Sequence, residues 1–389
     1  MNKKEVAHIR KQFKMDNDLL NIEDILNVYI MKETNEIYHW ERLPFGLLDR
    51  EKQELHMGNF KKLLTGELDH KLFELKFQEE AGEPTRAMLH QGLSTGDPEE
   101  WQDLMLMLVD KMMADTKYER DTVITFVRGQ YYRPTKARNE EAEESEKDEV
   151  FGHPFILCSV NSTEKQRKTL LFDYVEKEFK YNVMVDPVIK LSSPEQGFFY
   201  PSVTDNYSDV NRILYCTGKS NFPDQDFIEQ VLNAERSMTA MEERGIFEEI
   251  VKEVAGEQLD SATLAQVYEE INHVIESHQE EEEPPKLDYK DVERVLTVSG
   301  VENVTSEKVE QAFQTVVDDT NYELKASSVM PKFSSKSIKI DTKVATISIS
   351  PQDLRYVKQV NYQGRRCILI EVDEDAVIEG FTLSTETLL

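Results

Sequence analysis

Apolar positions recur at helical spacing at the start of the chain and at strand spacing near its end, and the pattern switches several times between. Residues 3–13 alternate charged and apolar side chains with the period of a short amphipathic helix. Residues 24–43 read as a β-hairpin: Ile25, Val28 and Ile30 precede a polar Lys32-Glu33-Thr34-Asn35 turn, and Ile37, Tyr38 and Trp40 follow it. A helix is predicted over 50–64, with Gly66 just beyond to stop it. Asp97 is suited to cap a second helix, 98–113, which carries Trp101, Leu104, Met105 and Leu108 on one face. Met105, Met107, Met112 and Met113 of this segment read as adaptable core filler. β-Branched and aromatic residues mark strands at 122–132, 155–160, 170–175 and 210–216.

A different pattern follows. Phe227, Ile228, Val231 and Leu232 make one helical stripe, and Leu264, Val267, Tyr268, Ile271, Val274 and Ile275 make another, with Asp260 or Ser261 as its cap. Two short helices are predicted at 289–298 and 306–317. Ile338/Ile340, Ile347/Ile349 and Ile368/Ile370/Val372 then alternate with polar neighbours, which is strand period. Gln363-Gly364 supplies the turn of a hairpin between 354–362 and 365–372.

These elements predict an α+β protein in three parts. Residues 1–220 form an α+β domain with a mixed sheet, residues 221–285 a helical segment ending in an acidic linker, and residues 286–389 a helix pair plus a basic β-rich domain. Segment 134–149, with its Glu140-Glu141-Ala142-Glu143-Glu144-Ser145-Glu146 run, has too much like charge to pack and is expected to be a mobile surface loop. Glu280 to Pro285 likewise ends helical structure.

Composition narrows the setting. A chain of 389 residues exceeds the usual size of one hydrophobic core. Met1 to Phe13 holds no apolar signal-peptide core, and no stretch has the ~18 uncharged apolar residues of a membrane helix. Cys158, Cys216 and Cys367 are odd in number and far apart, which fits a reducing compartment and offers no disulfide framework. The expectation is a cytoplasmic protein that does not engage membranes. Its formal net charge of -29 keeps it soluble and opposes contact with nucleic acid, unless positive charge is gathered in one place.

Such a place exists. Between Lys325 and Arg366 nine basic residues face two acidic ones, Asp341 and Asp353. Lys332, Lys336, Lys339, Lys343, Arg355, Lys358, Arg365 and Arg366 are the candidate binding residues. Phe333, Tyr356 and Tyr362 lie between them, as in proteins that hold a phosphate backbone and stack on bases. The competing reading is that this region docks on acidic surface of its own chain, a second copy or a protein partner.

Other constellations are weaker. Thr217-Gly218-Lys219-Ser220 imitates the end of a phosphate-binding loop, but Ile213 stands where the loop's first glycine belongs and Pro223 follows closely. Asp173, Glu178 and Lys180 have the residue types of a metal-dependent nuclease, which needs two carboxylates on a divalent ion and a lysine near the attacked phosphate. His273 and His278 are five apart, off the spacing that would put both on one helix face as zinc ligands. The connection 299–305 is longer than the turn of a helix-turn-helix, and Glu307, Glu310 and Asp318 would repel phosphates. No cofactor is implied.

The segment Pro194-Glu195-Gln196-Gly197-Phe198-Phe199-Tyr200-Pro201, followed by Asp209-Val210 and Leu214-Tyr215-Cys216-Thr217, resembles the signature of an uncharacterised family known from Gram-positive bacteria, one carrying a domain-of-unknown-function label. The similarity extends to Asn2-Lys3-Lys4-Glu5-Val6, to Gly364-Arg365-Arg366-Cys367-Ile368-Leu369-Ile370, and to Ile378-Glu379-Gly380. It implies no activity and no site residues. A more remote similarity of layout, an α+β part followed by helices and a basic β end, is to the nucleoid-associated protein family, and this implies association with nucleic acid through the C-terminal region. Within the signature, Gly197 and Pro201 are expected to form a tight turn presenting Phe198, Phe199 and Tyr200, aromatics that read as core or interface rather than as a ligand box. Two functions follow as expectations: a non-catalytic interaction protein, nucleic-acid associated through its basic end, or a metal-dependent phosphodiesterase.

Overall fold

A computed structural model of the chain describes residues 1–78, 85–114, 116–134, 150–164, 169–182, 186–204, 207–256, 259–278, 285–330, 338–374, 377–378 and 381–382. The chain divides into two compact units, Met1–Thr239 and Ala240–Leu389.

The first unit opens with helix α1 (Lys3–Gln12), the hairpin β1 (Leu20–Met31) and β2 (Glu36–Pro44), and helix α2 (Arg50–Leu63). Strand β3 (Leu72–Lys76), helices α3 (Thr85–Ser94) and α4 (Pro98–Ala114), and the long strands β4 (Thr122–Pro134) and β5 (Val150–Glu164) follow. Next come the hairpin β6 (Thr169–Asp173) and β7 (Glu178–Asn182), then β8 (Val188–Ile189), β9 (Gln196–Tyr200), the small pair β10 (Ser202–Thr204) and β11 (Tyr207–Asp209), and β12 (Arg212–Thr217). A π-helical turn, Phe227–Val231, lies near the end of the unit.

The helices begin where short polar side chains satisfy free backbone N–H groups. The Asn2 side chain accepts from Lys4 and Glu5, that of Asp49 from Lys52, and that of Asp97 from Glu99. The sheet runs β2-β1-β4-β5-β9-β12-β3, with β8 on β5, and every strand pairing in it is antiparallel, where a mixed sheet was expected. The α+β class stands.

Both faces of this sheet are covered. On one side Leu26, Val28, Ile156, Cys158, Phe198 and Tyr215 pack against Leu89 of α3, Trp101 and Leu108 of α4, and Phe227 to Leu232. On the other, Ile25, Leu157, Phe199 and Leu214 pack against Val6 and Ile9 of α1 and Phe60 and Leu63 of α2. Strands buried on both faces read as continuous apolar runs, and Phe198-Phe199-Tyr200 is one of them. All three are fully buried, so this segment is a central strand rather than the expected turn. Gly197 is required there because a Cβ would lie 2.1 Å from the Cys158 carbonyl oxygen.

The second unit contains helices α5 (Ala240–Ala255) and α6 (Ser261–Ser277), strand β13 (Lys286–Leu287), helices α7 (Tyr289–Val298) and α8 (Ser306–Val317), strand β14 (Leu324–Lys325) and the short α9 (Ala326–Val329). Phe247, Ile250, Val267, Ile271, Val292, Leu296, Val309 and Phe313 form their common core. Asp260, Asp288 and Thr305 cap α6, α7 and α8. Two ribbons follow: β15 (Ile338–Asp341) with β16 (Thr346–Ile349), and β17 (Val357–Tyr362) with β18 (Arg365–Ile370). A small pair, β19 (Val377–Ile378) and β20 (Phe381–Thr382), comes last.

The division at Thr239 differs from the three parts read from sequence. Phe227 to Leu232 belongs to the core of the first unit, and α6 shares a core with α7 and α8, so the middle segment is not a separate body. Helix α5 carries an apolar stripe at helical spacing, but Gly245 in its middle weakens the helix signal. Residues 354–356 belong to a 3-10 turn, Pro351–Tyr356, that precedes β17. Residues 135–149 of the expected acidic loop and residues 279–284 of the linker lie outside the described residues. Among the described residues no helix is long and apolar enough to cross a membrane.

Candidate functional site

The six described members of the basic set are all exposed and are divided between the two C-terminal ribbons and the turn before β17. Lys332, Lys336 and Phe333 lie outside the described residues. On the first ribbon Ile338, Ile340, Ile347 and Ile349 are the less exposed positions, and Lys339 pairs in register with Ser348 on the opposite, open face. Lys343 sits in the turn of that ribbon. On the second, Lys358 pairs with Leu369, Asn361 with Arg366, and Tyr362 with Arg365. Strand alternation therefore puts Lys358, Tyr362 and Arg365 on one face and Arg366 on the other. The six described cations do not share one flat surface. Instead Arg365 and Arg366 flank the Gln363-Gly364 turn, where Gly364 has φ +78°, and project from either side of the ribbon's tip.

What these charges touch matters more than their number. Lys358 Nζ lies 2.6 Å from Glu371 Oε1, a partner the sequence reading did not find. The Arg355 guanidinium lies 4.9 Å from the Tyr356 ring centre, holding cation and aromatic together. Arg365, Arg366, Lys339 and Lys343 have no carboxylate partner among the described residues. The ribbon also exposes Leu369 and Ile370, and Val372 just beyond it is exposed as well.

Asp173, Glu178 and Lys180 do come together, on the hairpin β6–β7. Lys180 Nζ lies 3.1 Å from Asp173 Oδ2 and 3.2 Å from Glu178 Oε1. Asp173 Oδ1 accepts from the backbone N–H groups of Glu176 and Val175, and those bonds with the Lys180 contact hold its carboxyl below the usual range. Each carboxylate is thus paired with the very lysine that the nuclease reading needs for phosphate. Among the described residues no group of three His, Cys, Asp or Glu side chains is placed to hold a metal ion. The opposite face of this hairpin is apolar and open: Phe172 and Phe179 are 40% and 71% exposed with their rings 5.2 Å apart, and Tyr174 packs on Phe172.

The remaining candidates are structural. Thr217 ends β12, and Gly218 donates to the Glu195 carbonyl rather than opening a helix, so the segment 217–220 lacks the helix N-terminus of a phosphate loop. Cys158 and Cys216 are free and fully buried, and burial pushes both thiols well above their ordinary pKa, which leaves them inert. Cys367 is free and half-buried.

The model of one family, a domain of unknown function (DUF4317), matches residues 1–381. The chain belongs to this family. A search of curated proteins finds no match to it.

Proposed function

We propose that this protein is a non-catalytic interaction protein that holds a nucleic-acid backbone through its C-terminal ribbons, the tip of β17–β18 above all. The observation that carries this reading is the placement of Arg365 and Arg366. They stand exposed on either side of one tight turn, without a carboxylate partner among the described residues, in a chain of net charge -29. Unneutralised arginines in so acidic a protein gain most from an external anion. A two-stranded ribbon is narrow enough to enter a major groove, and contacts to phosphates alone carry no sequence preference. The reading agrees with the layout similar to nucleoid-associated proteins, and with a cytoplasmic protein of a Gram-positive bacterium. A protein partner or a second copy, offering an acidic surface to the same tip, is the alternative within this class.

The test is fluorescence anisotropy of the full-length chain with labelled single- and double-stranded DNA, between about 50 and about 200 mM salt. Weak, sequence-independent binding that falls steeply with salt is expected. Reversal of both charges, Arg365→Glu with Arg366→Glu, is expected to lower affinity by about 100-fold, a loss of roughly 1.4 kcal/mol at each side chain. Circular dichroism should be unchanged, because both side chains are exposed. Absence of any binding by the unaltered chain at the lowest salt would leave a protein partner as the only reading of the tip.

A further inference from the structure

A second gathering of cations, with carboxylates among them, lies in the first unit, and the sequence gives no hint of it because its members are far apart in the chain. An open cleft of about 560 Å³ sits at one end of the central strands. Thr122 at the start of β4, Val160 and Ser162 near the end of β5, Gln196 at the start of β9 and Gly218 just past β12 line it. Lys117 and Arg120 reach it from the segment before β4, Lys190 from the segment after β8, and Lys219 from the turn after β12. Four cations from three separate segments thus converge on one concavity in a chain of net charge -29.

Their partners decide which of them are available. Lys190 Nζ is held by Glu164 at 3.3 Å. Lys117 and Arg120 have no carboxylate partner among the described residues. Lys219 Nζ lies 4.0 Å from the centre of the Phe222 ring, which positions the ammonium without neutralising it. Gly218 fixes the wall on which Lys219 stands, since a Cβ there would lie 2.5 Å from the Glu195 carbonyl oxygen. The carboxylates Glu119, Glu195 and Asp224 share the lining with neutral donors and acceptors. Ser162 and Thr122 are buried at 4% and 1% exposure. Burial holds the Tyr118 hydroxyl in its protonated form far above physiological pH, so it remains a donor. Glu195 is exposed on the same lining.

We propose that this cleft binds a small phosphate ester bearing sugar hydroxyls, a sugar phosphate or a nucleotide. Lys117, Arg120 and Lys219 receive the phosphate, and Glu195 with the neutral groups receives the hydroxyls. A cleft of this volume has the size usual for such ligands. Fixed cations around a partly enclosed phosphate act as point charges and, for arginine, as a two-pronged donor. No helix N-terminus or glycine-rich loop takes part, which is why a search for phosphate-loop spacing passes the site by. The site is independent of the C-terminal ribbons.

Isothermal titration calorimetry on the full-length chain tests it, with AMP, ribose 5-phosphate, inorganic phosphate and adenosine as probes. Binding of AMP or ribose 5-phosphate, or both, is expected, tighter than that of inorganic phosphate, with no heat from adenosine. The two phosphate esters distinguish a nucleotide site from a sugar-phosphate site. Lys219→Glu and Arg120→Glu should each weaken that binding by about tenfold or more, the loss expected of one charge-assisted contact. The double reversal Arg365→Glu with Arg366→Glu should leave it unchanged. The proposal is overturned if neither AMP nor ribose 5-phosphate binds at ~1 mM, the weak end of small-ligand affinity. It is equally overturned if adenosine binds as well as AMP, if inorganic phosphate binds as well as both esters, or if binding survives the reversals at Lys219 and Arg120.

Discussion

One arginine site in each unit of this protein disposes of charge in the opposite way to the other. In the first, Arg128 is 7% exposed and reaches Asp24 at 2.8 Å while its guanidinium sits over the Trp101 ring, and Arg42 adds a second contact to the same carboxylate. In the second, Arg365 and Arg366 stand at a ribbon tip with no such partner among the described residues. The same residue type is a structural cross-link in one place and an available charge in the other. The two ribbons β6–β7 and β17–β18 repeat the contrast. On β6–β7 lysine and carboxylates satisfy one another and the aromatic face is open, whereas on β17–β18 the tip arginines remain unneutralised. A charge constellation therefore indicates chemistry only where its own neighbours leave it unsatisfied.

The largest effect that would test this division is on stability. Phe199 is fully buried, stacked on Phe155 with ring centres 5.3 Å apart, and belongs to the helix-covered core of the first unit. Phe199→Ala should cost about 3 to 5 kcal/mol, or roughly 10 °C in melting temperature. Both tryptophans, Trp40 and Trp101, lie in the first unit, so fluorescence follows that unit while calorimetry follows both. The fluorescence transition should move and a second calorimetric transition should stay. If the whole chain melts in one transition that moves as a block, the units are not separate in stability and the comparison fails at its root.

Acid is the next lever. Burial lowers the pKa of His56, whose ring stacks on Phe60, from 6.5 to about 4, and it also lowers those of His8 and His153. Above pH 6.5 the folded and unfolded chains both hold a neutral His56. Below it the unfolded chain takes up a proton that the folded one refuses until about pH 4, so stability falls across that window as pH falls. The loss from His56 alone is at most about 3 kcal/mol. The tryptophan-detected melting temperature should drop between pH 7 and pH 4.5, and His56→Gln should flatten the profile. An equally steep profile in that variant would remove His56 as the cause.

Local pattern made most of the secondary structure legible and left the assembly hidden. Capped amphipathic helices such as α4, α6, α7 and α8 announce themselves, because one polar cap and one apolar stripe suffice. The β17–β18 ribbon was equally plain from Gln363-Gly364 and the alternation after it. The central strand β9 was not, because burial on both faces erases alternation and Gly197 imitates a turn residue. Of the candidate site, the cations were legible but their division between ribbon faces was not, since that depends on register. The cleft was invisible, because Lys117, Arg120 and Lys219 meet only through the order of the sheet.

The smallest effect belongs to the hairpin β6–β7, where Asp173 and Glu178 are direct cross-strand partners. Like charges opposite one another on a hairpin destabilise it, and Lys180 between them removes that repulsion. Lys180→Met should restore the repulsion, yet the site is exposed and screened, so the melting temperature should fall by no more than about two degrees. Glu178→Gln in the Lys180→Met background should recover the loss, and molar salt should shrink it. Melting curves of the single and double variants, at low and high salt, measure both. Rescue by Glu178→Gln identifies the triad as a charge balance internal to the hairpin. Hydrolysis of a DNA substrate by the unaltered chain with Mg²⁺, abolished by Lys180→Met with melting temperature intact, would instead assign the lysine to phosphodiester chemistry and reverse the contrast between the two ribbons.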